Sequence, residues 1–154
     1  MTTSKTLLHI AIGLALSVSS IQTSYATTSN EGTRMHVQIS NETNAVCQLM
    51  SKVLDHGRYD SAPPQSIMAH DSKTFDIEQV TVFYGPDVTL AYTCDNVGSV
   101  TFEAEQTSSY IIGHTPYITV IQSQGLTLDP TDDAQSSSMI WHSAGILNVT
   151  IRAA

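Results

Sequence analysis

The run VTLAYTCDNVGSVTFEA, residues 88–104, decides the fold class. Val88, Leu90, Tyr92 and Cys94 share one parity, and Val100, Phe102 and Ala104 repeat it after Asp95-Asn96-Val97-Gly98. Side chains of an extended chain alternate between two faces, so each half reads as a strand with one apolar face, separated by a turn. The same alternation recurs at Met35, Val37 and Ile39, and at Leu147, Val149 and Ile151 with Asn148, Thr150 and Arg152 facing away. Further strands are expected over 46–54, 73–84, 109–112, 117–122 and 137–142. Turn residues separate them: Asn41-Glu42-Thr43-Asn44, Asp55-His56-Gly57, Pro63-Pro64, Tyr84-Gly85-Pro86-Asp87, Gly113, Gly125, Asp129-Pro130 and Gly145. Residues 45–54 also show helix-like spacing (Val46, Leu49, Met50, Val53, Leu54), with Thr43 or Asn44 able to cap it; the β context assigns them to a strand. Short strands at this spacing describe an all-β, single-domain antiparallel β-sandwich of jelly-roll type, over residues 34–153.

What precedes this domain reads as an address. Lys5 and the apolar stretch 7–18, followed by Ser24-Tyr25-Ala26, have the form of a secretory signal peptide, residues 1–26. The stretch falls short of the roughly 20 apolar residues of a spanning helix, and no transmembrane segment is expected. Residues 27–33 are polar and read as a flexible N-terminus. The expected location is therefore outside the cytoplasm, secreted or periplasmic.

The 154-residue chain carries 6 Lys+Arg against 14 Asp+Glu, a formal net charge of −8. Loss of Lys5 with the signal leaves five cations against the same acids. That balance excludes nucleic acid, which requires a basic face, and opposes electrostatic attachment to anionic lipid. Cys47 and Cys94 are an even pair in an oxidising compartment, so a disulfide is expected. Closing a loop of that length stabilises by about 4 kcal/mol in the chain-entropy model.

No cofactor motif is present. Asp55-His56 with Asp60, and His70-Asp71, could supply acid–base groups, but no G-x-S-x-G elbow accompanies them. His36, His56, His70, His114 and His142 lack the spacing that places two ligands on one face, so no metal site is expected from them. The acidic segment Asp129–Asp133 has oxygen donors suited to calcium without the order of an EF-hand loop, and reads as a solvated loop.

One longer pattern remains: Leu54-Asp55-His56-Gly57-Arg58-Tyr59, Pro63-Pro64-Gln65-Ser66-Ile67, Phe75, Gly85-Pro86-Asp87-Val88 and Tyr92, in that order. It resembles the small secreted β-sandwich proteins of the aegerolysin and actinoporin-like group, over residues 36–104. The resemblance implies an aegerolysin-like sandwich that binds membrane lipid, in some members within a cytolytic, pore-forming system. The positions that carry over are His56-Gly57-Arg58-Tyr59, Pro63-Pro64, Ile67 and Gly85, mostly scaffold. The chain departs from the pattern in having no second glycine after Gly85-Pro86-Asp87 and a single tryptophan, Trp141.

The expected function is a secreted, non-enzymatic binding protein, cytolysin-like or virulence-associated, that recognises membrane lipid or glycan. Loops at one end of the sandwich would carry the contacts, with Tyr59, Tyr84, Tyr117 and Trp141 as candidates. The rivals are a small secreted hydrolase using Asp55, His56 or His70, and a protein-partner module that engages another chain through a sheet edge. N-terminal sequencing of the exported protein should read Thr27-Thr28-Ser29; an intact Lys5 on the exported chain would refute the signal assignment.

Overall fold

The computed structural model describes residues 34–81, 83–106, 116–131 and 144–154. The expected strands at 109–112 and 137–142, residues 1–33, Trp141, His114, His142, Asp132 and Asp133 lie outside them. The described residues form ten strands: β1 (Arg34–Asn41), β2 (Cys47–His56), β3 (Arg58–Ser61), β4 (Ser66–Ile67), β5 (Ser72–Glu78), β6 (Asp87–Cys94), β7 (Gly98–Gln106), β8 (Pro116–Gln124), β9 (Leu126–Thr131) and β10 (Ala144–Ala153). They build two five-stranded sheets in the orders β3-β5-β1-β10-β9 and β4-β2-β6-β7-β8, called sheets A and B here. The sandwich expected from alternation is what forms. One pair departs from the antiparallel expectation: β1 and β10 run parallel, Arg34 opposite Ala144 through Asn41 opposite Ile151.

The core is the set of inward parities. Met35, Val37, Ile39, Phe75, Ile77, Leu147, Val149 and Ile151 come from sheet A, and Val88, Leu90, Tyr92, Val100, Phe102 and Ala104 from sheet B; all are buried. Tyr92 is a core residue, as its parity predicts, and its hydroxyl donates to the Pro64 carbonyl at 2.9 Å. Cys47 and Cys94 stand directly opposite one another on β2 and β6 and are bridged. The disulfide thus links neighbouring strands within one sheet, at the end where β6 turns into β7.

Residues 46–54, expected as a strand, form most of β2, while expectations elsewhere need correction. The helix-like spacing of 45–54 comes from β-bulges: Met50 and Asp55 are extra residues against β6, and each shifts the apolar phase by one. The expected strand 73–84 stops at Glu78, because both neighbours end there: Glu78 pairs with Arg34, the first residue of β1, and with Arg58, the first of β3. Beyond that point the pairing with β1 and β3 ends and the chain leaves the sheet. Asp129-Pro130, expected in a turn, lies in β9 opposite Thr150 and Val149. Proline is tolerated there because, among the described residues, β9 is the edge of sheet A and has no outer neighbour to donate to.

The chain crosses from sheet B to sheet A at Gly57, between β2 and β3, with φ of 109°. A Cβ at this position would sit 2.7 Å from Ile77 Cγ2 and 3.0 Å from the Glu78 carbonyl oxygen. Both the positive φ and the close approach demand glycine. Gly57→Ala should lower unfolding stability by about 2 kcal/mol or more, measured by urea denaturation; an unchanged midpoint would show that the crossing relaxes freely.

Candidate functional site

The two ends of the sandwich differ. At one end β6 and β7 are joined by a short turn, β8 and β9 meet at Gly125, and the disulfide sits between β2 and β6. At the other end lie Gly57, segment 79–86, the end of β7 at Gln106 and the start of β8 at Pro116. The Gln106 amide donates to the Pro86 carbonyl at 2.9 Å, tying segment 79–86 to this end.

Segment 79–86 presents Val80, Phe83 and Tyr84 to solvent. Val80, Phe83 and Tyr84 are 58%, 77% and 59% exposed. The Thr81 hydroxyl accepts from the Tyr84 amide at 3.3 Å, and Gln79 Nε2 donates to the Thr81 carbonyl, so the tip is held by its own polar groups. The Tyr84 ring stacks on His56 with centroids 4.6 Å apart and planes 20° from parallel.

Beneath Tyr84 and His56 lies an acidic cluster on the outer face of sheet B. Glu103 and Glu105 share a parity on β7, and the register sets Asp87 opposite Glu105. Ligand oxygens of Asp87, Glu103 and Glu105 all lie within 4.8 Å of one another. Three carboxylates so arranged are the donor type of a hard cation such as Ca2+. His56 Nδ1 stands 3.9 Å from Asp87 Oδ2, while Asp87 Oδ1 is buried without a hydrogen-bond partner. Burial first, then the charges of Glu103, Glu105 and Asp55, push the Asp87 carboxyl up to about 6, against the opposing pull of His56. Tyr117 donates its hydroxyl to Glu105, which pushes the phenol up to about 12.

Of the aromatic candidates, the structure brings Tyr84 and Tyr117 to the rim of this cluster. Tyr59 is elsewhere: it lies on β3 opposite Ile77, half-buried, with the Lys52 ammonium 5.3 Å from its ring centroid. Its hydroxyl is buried without a hydrogen-bond partner, and burial raises its pKa. Trp141 lies outside the described residues. The acid–base candidates do not converge. His70 pairs with Asn44 at 2.9 Å, Asp71 with Lys73 at 2.9 Å and Asp60 with Arg34 at 3.2 Å, and only Asp55 and His56 are near the cluster. Asp129 binds Arg152 from β9.

Reading the sequence missed Val80 and Phe83, whose β-branched and aromatic character looked like strand, and missed the cluster. The Glu-x-Glu spacing of 103 and 105 was the available signal; Asp87 joins them only through the β6–β7 register.

A carboxyl with a raised native pKa binds its proton more tightly folded than unfolded, so ionised Asp87 destabilises the fold above about pH 6. That penalty is relieved as pH falls from about 6 toward the ordinary 3.8. Asp87→Asn should therefore raise stability at pH 7 by about 1 kcal/mol, after solvent screening, and change little at the acid end of this window. Urea midpoints at the two pH values check it; equal gains at both would place the effect outside titration.

No known family's sequence profile matches this chain, and no curated protein matches it. Solved structures match in fold. The lipid-binding protein Nakanori superposes with a TM-score of 0.59 at 7% identity, over 78% of this chain and 71% of that one. IP-1A from Alcaligenes faecalis gives 0.52 at 12% identity, over 80% and 92%. The Xerocomus chrysenteron lectin XCL gives 0.46 at 7%, over 79% and 99%. At these identities the likeness is one of fold: the chain is a β-sandwich of the architecture found in Nakanori and IP-1A.

Proposed function

We propose that this chain is an exported, non-enzymatic protein that docks on lipid surfaces through the tip of segment 79–86. The observation that carries this reading is the outward projection of Val80, Phe83 and Tyr84 beyond the strand ends. Exposed aromatic and aliphatic side chains on a loop held by its own hydrogen bonds suit the boundary between headgroups and acyl chains. Full burial of Phe83 alone would contribute about 2 kcal/mol. The fold shared with a lipid-binding protein supports the reading.

The charge beneath the tip narrows the lipid class. Asp87, Glu103 and Glu105 carry negative charge, while the nearby cations Arg34 and Arg58 are each held by a carboxylate, Asp60 and Glu78. An anionic surface would meet this end with repulsion. A zwitterionic headgroup meets none, and its ammonium would face the carboxylates and the Tyr84 ring.

Co-sedimentation with phosphatidylcholine vesicles should pull the protein down, and phosphatidylserine-containing vesicles should do so less at low salt. Phe83→Ser with Tyr84→Ser should weaken the phosphatidylcholine interaction by about tenfold or more. Binding that is indifferent to these substitutions, or seen only on a glycan array, would overturn the proposal.

A further inference from the structure

Gln106, the last residue of β7, has the inward parity of Val100, Phe102 and Ala104 and is fully buried. Its side chain reaches from sheet B to the start of β10 in sheet A. A Cβ at Gly145 would stand 2.6 Å from Gln106 Oε1 and 3.1 Å from Pro116 Cβ, so glycine leaves the room that the amide fills. Among the described residues, neither Oε1 nor Nε2 of Gln106 has a hydrogen-bond partner. A primary amide offers two donors and an accepting oxygen, and each group buried unpaired carries its full desolvation cost. A methionine would fill a similar volume without that cost.

The opposite end of the sandwich is built the other way. There Cys47 is bridged to Cys94, and the buried amide of Asn41 meets the carbonyls of Ala45, Ile67 and Met68. One buried amide ties its end together, while the other is satisfied only when water reaches it. Local opening around Gln106 relieves the penalty, so opening is easier here than at the tied end.

We infer that the sandwich opens reversibly at the end bearing segment 79–86, with the Gln106 amide as its built-in weak point. The neighbours of that amide are apolar. Pro116 lies opposite Gln106 on β8, Met35 opposite Gly145 on β1, with Ala104 two residues back on β7 and Leu147 two residues along β10. All four are buried while the sheets are closed. Parting the sheets uncovers them at the same end as Val80, Phe83 and Tyr84. Resting on the lipid-docking reading above, the open form presents the larger apolar surface, and a bilayer that binds it better draws the equilibrium toward it.

Native-state hydrogen exchange on the purified, disulfide-intact protein, followed by NMR in low urea, tests the opening without lipid. Amides of residues 102–106 and 145–147 should exchange about tenfold or more faster than those of 47–49 and 92–94, with little dependence on urea. Gln106→Met should slow the first set by about tenfold. Tyr92→Phe, which loses the bond to the Pro64 carbonyl, should speed the second set and leave the first unchanged. Uniform exchange over both sets, equally steep urea dependence, or a first set that Gln106→Met does not slow would each overturn the inference. The last is the result if an internal water pairs with the amide.

Co-sedimentation with phosphatidylcholine vesicles tests the link to docking. Gln106→Met should weaken it by about tenfold, whereas Phe83→Ser with Tyr84→Ser should weaken it while leaving exchange at the native rates. Native docking that Gln106→Met does not weaken would overturn the link. No docking by the native protein would overturn the lipid reading alone and leave the opening seen in solution.

Discussion

Asn41 ends β1 with its side chain buried, and it ties three segments together. Its Nδ2 lies 2.7 Å from the Ala45 carbonyl, 3.1 Å from that of Ile67 and 3.0 Å from that of Met68. Its Oδ1 accepts from the Thr43 amide at 3.0 Å and the Thr43 hydroxyl at 2.7 Å. A buried amide so fully satisfied makes a rigid junction, whereas one left unpaired would cost its whole desolvation. The chain is turned from β1 in sheet A to β2 in sheet B at this junction, and Cys47 follows at once to be bridged to Cys94. One end of the sandwich is therefore set by a polar hub and a covalent bond.

With that end tied, the other can hold groups that destabilise it. Ionised Asp87 beside Glu103 and Glu105, and apolar side chains in water at Val80 and Phe83, each cost stability, as the docking surface proposed above would require. The charges are sorted accordingly. Most cations are spent on sheet A and its flanks: Arg34 with Asp60, Arg58 with Glu78, Lys73 with Asp71, and Arg152 with both Glu42 and Asp129. Lys52 sits over Tyr59. Such exposed pairs add little stability each. Their larger effect is to draw these cations away from Asp87, Glu103 and Glu105, beside which, among the described residues, His56 stands.

Where reading the sequence failed, it failed at points where a neighbour decides the outcome. Residues 79–84 have strand-like composition, yet a strand needs partners, and β1 and β3 both begin opposite Glu78. Pro130 signals a turn unless the strand is an edge. Residues 45–54, assigned to a strand, owe their mixed periodicity to bulges at Met50 and Asp55 against β6. Tyr59 and Tyr84 looked equivalent as aromatic turn residues, but one faces Ile77 and Lys52 while the other stacks on His56.

The sandwich, the core parities and the pairing of the two cysteines were all legible along the chain. Alternation is a local property that reports which face of a strand is apolar, and two cysteines allow a single intramolecular bridge. Which acids meet and which aromatics share a rim is set in three dimensions. Those depend on register and strand order, contacts between residues far apart in the chain, and a one-residue slip in register would have sent each of them to another face.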